Sequence, residues 1–150
     1  MLRPYGAVLA AIAVAACASR TTIPSPTQAA AAVGTPDEIQ TLVRLALTLD
    51  AAGDRRADTL YTRDALVVGN ARVRLAAPRF AGITPGGRVT IAAATVTLEG
   101  RLAWVLVDYR WMNQAERRAE AGRATFICER RENSWKIVHA HSSQMLPWEP

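Results

Sequence analysis

Two histidines separated by one residue, His139 and His141, are the side chains in this sequence best suited to chemistry. On a β-strand, a pair with this spacing points to one side, about 6–7 Å apart, and could supply two ligands to a metal ion. A third ligand would be needed, and Glu129 and Asp108 are only loosely placed to provide it. We therefore favour a plainer interpretation, in which both imidazoles lie on a sheet surface and bond to neighbours or across a dimer.

Three further side chains carry a hydroxyl or thiol among apolar neighbours: Tyr61, Tyr109 and Cys128. Cys128 alternates with Phe126 in an apolar set, and a cysteine in such a set is usually buried and unreactive. We interpret the two tyrosines as structural, because no carboxylate clearly faces them in the pattern of the sequence.

The histidines lie near the end of the segment 122–143, which predicts two strands joined by a tight turn at 132–134. Earlier runs rich in apolar and β-branched residues predict strands at 65–69, 72–75, 88–98 and 102–112. The Pro- and Gly-containing segment 76–87 and the polar segment 113–120 are predicted to be loops.

A strong helix signal precedes these strands. Thr35 can cap the helix, Pro36 suits its first position, and Glu38 completes a capping box with Thr35. Gly53 ends the helix, and Asp54 can cap a second, short helix that runs to residue 61. Two helices followed by strands with short links indicate an α+β domain with an antiparallel sheet.

Side-chain alternation assigns the faces of the long strands. In the segment 103–111, the more apolar set should face the helices, namely Ala103, Val105, Val107, Tyr109 and Trp111. Asp108 then falls on the outward face. Neither set of the last strand is purely polar, so we expect both of its faces to be covered.

Three segments, together with the order of the predicted elements, resemble a known family. The segments are 103–105 (AWV), 123–126 (RATF) and 135–143 (WKIVHAHSS). They are similar to the SnoaL-like branch of the nuclear transport factor 2-like superfamily. The hairpin is also similar to the association domain of calcium/calmodulin-dependent kinase II, which ends in a comparable Trp-x-x-Val-His-x-His strand. The resemblance covers residues 37–145, and its last third is the specific part.

The resemblance implies a cone-shaped fold, in which a curved antiparallel sheet wraps around the helices, encloses a pocket and commonly forms dimers. It places Phe126 and Ser142 on the pocket side, and alternation adds further residues. The candidate pocket consists of Tyr61, Tyr109, Phe126, Cys128, Val138, Ala140 and Ser142. The candidate dimer face consists of Trp135, His139 and His141.

The sequence departs from the family pattern in two places. The segment 72–87 lacks a convincing third helix. The association domain has an arginine in its pocket where Ser142 stands, so binding of an anion by that arginine is not expected here.

The first residues have the layout of an exported lipoprotein. One cation precedes the apolar run 7–16, which is too short to cross a bilayer. The small residues before Cys17 resemble a bacterial lipobox, which implies removal of residues 1–16 and lipidation of Cys17. The alternative is an ordinary signal peptide with Cys17 incidental. Residues 17–34 predict a flexible tether, so we assign the domain to 35–150.

The residues after Cys17 favour, by the same resemblance, a lipid anchor on the periplasmic face of the outer membrane. The net charge is +5, but the basic residues form no stripe interleaved with aromatic residues. Nucleic acid is therefore not an expected partner. Lipidation of one of the two cysteines would leave no intrachain disulfide. No cofactor is expected.

These patterns predict a homodimeric, non-catalytic module that binds a small apolar ligand or serves in assembly. An enzyme that transfers protons on an apolar substrate is the second hypothesis, because ketosteroid isomerases of this superfamily use a pocket carboxylate tuned by apolar walls. Asp108 inside the cone beside Tyr61 or Tyr109 would favour that enzyme, and Asp108 outside it would not. An accessory subunit of a cell-envelope complex is the third hypothesis.

Overall fold

A computed structural model of the chain describes residues 34–145. The predicted signal peptide, Cys17 and all but the last residue of the tether lie outside the described residues, as does the tail after Met145. No helix within the described range is long and apolar enough to span a membrane.

The chain between these limits forms an α-helix, a short 3-10 helix and then strands, which is the expected α+β order. The α-helix is α1 (Pro36–Ala52), and the 3-10 helix (Arg55–Leu60) replaces the predicted second helix. The strands are β1 (Tyr61–Gly69), β2 (Arg72–Val73), β3 (Arg88–Glu99), β4 (Leu102–Asn113), β5 (Arg118–Arg131) and β6 (Ser134–Gln144).

The predicted caps of α1 are confirmed. The Thr35 hydroxyl accepts a hydrogen bond from the backbone N–H of Glu38 at 3.3 Å, and the Glu38 carboxylate accepts one from the N–H of Thr35 at 3.2 Å. These bonds satisfy donors that the first turn of a helix leaves free. Gly53 follows α1 with φ +68°, a left-handed conformation that glycine adopts without strain.

The strands form one sheet in the order β2-β1-β6-β5-β4-β3. The predicted antiparallel pairing is correct for all neighbours except β1 and β6, which run parallel. No tight turn dictates their relative direction, because the other four strands lie between them in the chain. Register shifts in β1, β3 and β5–β6 interrupt the ladders, and such bulges bend a sheet.

The helix packs on the concave face of this sheet, against β3, β4 and β6. It does so through one stripe of fully buried side chains, namely Ile39, Val43, Ala46 and Leu47. The inward set predicted for β4 is confirmed, since Ala103, Val105, Val107, Tyr109 and Trp111 are all buried. The core of the domain therefore lies between α1 and the concave face.

Candidate functional site

Most residues of the predicted pocket do face the inside of the curved sheet. Tyr109, Phe126, Cys128, Ala140 and Ser142 are at most 1% exposed. Tyr61 is also buried, at 9% exposure. Burial raises the pKa of the Cys128 thiol to about 12, which keeps it protonated at neutral pH. The thiol is thus the inert, buried group that the sequence pattern indicated.

Two assignments on β6 are wrong, and both follow from one bulge. Ile127 pairs with His139 whereas Cys128 pairs with Ile137, so Val138 is an extra residue in β6. Alternation changes phase there, and Val138 is partly exposed rather than a full member of the inner wall. On the other side of the bulge, Trp135 joins the core at 8% exposure and does not share the outer face with the histidines.

The space beside this wall is filled by the chain itself. Residues 79–83 of the long loop between β2 and β3, which we call the plug, enter the cone, and four of the five are buried: Arg79, Phe80, Ala81 and Ile83. The ring centroid of Phe80 lies 5.3 Å from that of Phe126 and 6.4 Å from that of Tyr109. Two of the residues predicted to line a ligand pocket, Tyr109 and Phe126, therefore pack against the plug.

Two of the predicted pocket residues hold the plug by hydrogen bonds. The backbone N–H of Ala81 donates to the Ser142 hydroxyl at 2.9 Å, and the Tyr109 hydroxyl donates to the carbonyl of Ala81 at 2.6 Å. Burial raises the pKa of Tyr109 to about 12, so its phenol remains a donor at physiological pH. Ser142 thus helps to hold the loop inside the cone.

A buried carboxylate anchors the start of the plug. Asp50, at the end of α1, is fully buried and accepts hydrogen bonds from the backbone N–H groups of Arg79 at 2.5 Å and Phe80 at 3.3 Å. The guanidinium of Arg79 also donates to Asp50 at 3.2 Å and pairs with Asp58. The same guanidinium lies 4.7 Å from the ring centroid of Tyr61, within cation–π distance.

Burial raises the pKa of Asp50 above its ordinary value, although the two N–H groups and the charge of Arg79 act in the opposite direction. A carboxyl group with a raised pKa in an apolar site could act as an acid or a base. Here its oxygens already accept hydrogen bonds from Arg79 and Phe80. The geometry gives Asp50 the role of a structural anchor.

Asp108 lies outside the cone. It pairs with Arg123 on the adjacent strand through hydrogen bonds of 2.6 and 2.9 Å, which lower the pKa of Asp108. Its side chain is 28% exposed. The sequence assigned Asp108 to the outward face, and the structure confirms this.

The histidine pair also lies on the outer face, with His139 partly buried and His141 exposed. Within residues 34–145, no group of three or more His, Cys, Asp or Glu side chains is arranged to hold a metal ion. The two carboxylates considered as a third ligand are each ion-paired with an arginine, Asp108 with Arg123 and Glu129 with Arg131.

The sequence contains one signal for Asp50, which lies in helical spacing rather than in a motif. Asp50 continues the buried stripe of Ile39, Val43 and Leu47 at helical spacing, and an acidic residue in such a stripe needs a partner. Phe80 is the only aromatic residue in the loop between β2 and β3, and nothing local indicates that it turns inward.

Solved structures share this architecture. A nuclear transport factor 2-like protein of Novosphingobium aromaticivorans is 16% identical, with a TM-score of 0.60 over 73% of this chain and 80% of its own. A protein of Parabacteroides distasonis assigned as a ketosteroid isomerase is 18% identical, with a TM-score of 0.60 over 76% and 90%. A Xanthomonas campestris domain assigned as an association domain of calcium/calmodulin-dependent kinase II is 23% identical, with a TM-score of 0.58 over 79% and 95%.

These likenesses define the class as the cone-shaped nuclear transport factor 2-like fold, with a helix held inside an open, curved sheet. Residues 58–147 match the family of SnoaL-like domains. The chain belongs to that family, as its hairpin predicted. No curated protein matches the sequence.

Proposed function

We propose that this domain is a non-catalytic assembly module that pairs with a second copy through the outer face of its sheet. The observation that carries the proposal is a band of exposed apolar side chains across the central strands of that face. The plug occupies the interior of the cone, and we therefore place the partner on the outer face.

The band consists of two neighbouring rows. In the first row, Trp104 of β4 pairs with Ile127, Ile127 with His139, and His139 with Leu66 of β1. Trp104 is 42% exposed, Ile127 37% and Leu66 47%. The second row consists of Leu106, Thr125, His141 and Val68, with Leu106 44% exposed. A contiguous apolar patch of this kind on a soluble domain typically marks an interface.

The ion pair of Asp108 and Arg123 lies in the next row across β4 and β5. In a two-fold dimer, each copy presents the same patch to the other. A patch that carries one acid and one base beside its apolar rows is complementary to itself in charge. This favours a second copy over a partner of strongly acidic or basic character.

The X. campestris domain is named as an association domain of a kinase, and this name supports assembly as the role of the fold here. The predicted dimer face keeps His139 and His141 and gains Trp104, Leu106 and Ile127 in place of Trp135. Such a face combines aromatic and aliphatic side chains with polar groups, as homodimer interfaces commonly do.

We further propose that the domain is held at a bacterial membrane by a lipid on Cys17. The support is the layout of residues 1–17, a cation, a short apolar run and small residues before the cysteine. Mass spectrometry of the mature protein from membranes tests this part alone. The expected product begins at Cys17 and carries the mass of acyl chains, and an unmodified N-terminus at another residue would contradict it.

Light scattering after gel filtration tests the assembly. The wild type should have the mass of a dimer or a larger multiple, and Trp104→Glu should be a folded monomer because a charge would be buried at the contact. Leu45→Glu is the matched control, since Leu45 is 44% exposed on the helix and outside the band. A wild type that is monomeric at high micromolar concentration would refute the proposal. A fixed larger partner that co-purifies instead would favour an accessory subunit.

The proton-transfer alternative loses the residue on which it depended. Asp108 is ion-paired on the outer face, and the buried carboxylate of Asp50 is occupied by the plug. We therefore do not propose an enzymatic activity.

A further inference from the structure

We propose that a second site, a cleft at the edge of β1, binds a small organic carboxylate with a short apolar tail. This site goes beyond the assembly function and shares no residue with the apolar band. The cleft has a volume of about 300 Å³. We call it the edge cleft. Its lining comes from the 3-10 helix, β1 and the segment after β2, and includes Asp58, Tyr61, Arg63, Arg74 and Arg79.

Three lining residues carry donors that the protein leaves without a partner. The hydroxyls of Tyr61 and Thr62 and the Nε of Arg74 are buried and make no hydrogen bond within the part of the chain that the structure describes. Buried polar groups are normally hydrogen-bonded, because an unpaired one destabilises the folded protein. Burial also raises the pKa of Tyr61, so the phenol stays protonated. These donors can therefore form hydrogen bonds with an acceptor on a ligand.

The charge of the cleft indicates that the acceptor is an anion. Three guanidinium groups line it, those of Arg63, Arg74 and Arg79, against the single carboxylate of Asp58. Asp58 is already paired with Arg79. No carboxylate lies within ion-pair distance of Arg63 or Arg74 among residues 34–145, and the neighbouring Asp64 pairs with Arg131 at 3.8 Å. The edge cleft thus holds an excess of positive charge.

The lining of the cleft also includes apolar side chains. Ala65 and Leu75 line it, and Leu75 is 87% exposed, the most of any large hydrophobic side chain in the described range. Two N–H groups of a guanidinium match the two oxygens of a carboxylate. An alkyl or aryl group that covers an exposed leucine removes apolar surface from water, which is favourable. A carboxylate with an apolar tail can contact both the guanidinium groups and the apolar side chains, whereas a bare phosphate contacts only the guanidinium groups.

The bond of Arg79 to Asp50, which anchors the plug, also fixes the side chains of the edge cleft. Arg79 spans from the edge cleft to Asp50 in the core, and its guanidinium stacks on the ring of Tyr61. Tyr61 and Arg79 are thereby fixed before any ligand arrives, which lowers the entropic cost of binding. Arg63 and Arg74 are left to contact the ligand.

An NMR titration of the full mature protein with sodium hexanoate tests the proposal. We expect saturable shifts of the amides of residues 61–65 and 74–75. Arg74→Gln should weaken the affinity at least tenfold and Tyr61→Phe severalfold, because each removes a donor to a charged acceptor. Arg72→Gln is the matched control, since Arg72 is an exposed arginine two residues away that does not line the cleft. It should bind as the wild type does.

Two further probes decide the chemical class. Hexanol, which has the tail without the charge, and inorganic phosphate, which has the charge without the tail, should each bind at least tenfold more weakly than hexanoate. Equal binding of either probe would overturn the proposal, as would unchanged affinity in Arg74→Gln or no shift at millimolar hexanoate. The monomeric Trp104→Glu variant should bind normally, so failure of this site and failure of the assembly proposal are distinguishable.

Discussion

The ring of Phe80 lies against that of Phe126, with 5.3 Å between their centroids and an angle of 47° between their planes. Phe126 belongs to the sheet and Phe80 to the loop, and the contact closes the cone with a residue of the chain itself. Ser142, Tyr109 and Asp50 then hold the backbone on either side of Phe80. A loop with this many buried attachments is part of the core, even though it has no regular secondary structure.

Phe80→Ala tests how much the plug contributes. Phe80 is 2% exposed, and truncation of a buried phenylalanine to alanine costs about 3–5 kcal/mol through lost contacts and the cavity that remains. Denaturant unfolding followed by tryptophan fluorescence would measure the loss in free energy of unfolding. The same experiment on Leu75→Ala, at an 87% exposed position, should show a change of about 0.5 kcal/mol or less.

The cavity left by Phe80→Ala should also bind a small apolar molecule, because an empty apolar cavity remains dry and accepts such ligands. Benzene should raise the thermal midpoint of Phe80→Ala and leave that of the wild type unchanged. A variant that lost little stability and ignored benzene would show that the loop is not part of the core.

Asp50 makes stability depend on pH in a defined direction. Burial raises the pKa of Asp50 in the folded state above the ordinary value of 3.8, so the folded protein holds this proton more tightly than the unfolded chain. Its contribution to stability is therefore fully present below pH 3.8 and declines as the pH rises through the raised pKa. The opposite trend would hold if the charge of Arg79 outweighed burial.

The comparison of the wild type with Asp50→Asn isolates this group, because the other ionisable groups are common to both proteins. The free energy of unfolding of the wild type minus that of Asp50→Asn should decrease from acid towards neutral pH. Urea titrations at a series of pH values would measure it. A difference that grows with pH would show that the ion pair with Arg79 dominates, contrary to the prediction.

Local signals in the sequence predicted what depends on near neighbours. Thr35 and Glu38 of the capping box lie three positions apart, and the inward face of β4 follows from simple alternation, so both could be predicted directly. The bulge at Val138 could not, because one extra residue leaves no mark in a sequence whose two sets are both partly apolar. It reversed the expected direction of Trp135.

The plug escaped prediction for a related reason. Asp50 and Arg79 are 29 residues apart, and Ala81 and Ser142 are 61 apart, so their bonds exist only once the sheet has curved around the helix. The sequence predicted which residues form the wall of the cone. It did not reveal that the loop would fill the space, since a segment rich in Pro and Gly usually remains at the surface.

Cys128 should be unreactive in the folded protein. Its thiol is fully buried, and with a pKa of about 12 it is almost entirely protonated at pH 8, whereas alkylation requires the thiolate. In a Cys17→Ser variant, where Cys128 is the only cysteine, iodoacetamide should modify the native protein far more slowly than the protein unfolded in urea. Rapid modification without denaturant would show that the cone opens frequently.

Gly122 is required by the ring of Tyr109, its partner across β4 and β5. A Cβ at position 122 would lie 2.3 Å from Cζ and 2.4 Å from the hydroxyl of Tyr109, closer than atoms can approach. Gly122→Ala should therefore displace the phenol from the carbonyl of Ala81 and cost about 1–3 kcal/mol, as overpacking does. In a double-mutant cycle with Tyr109→Ala, the two losses should be less than additive, because the second change removes the clash. Fully additive losses in free energy of unfolding would show that Gly122→Ala destabilises the sheet at another contact.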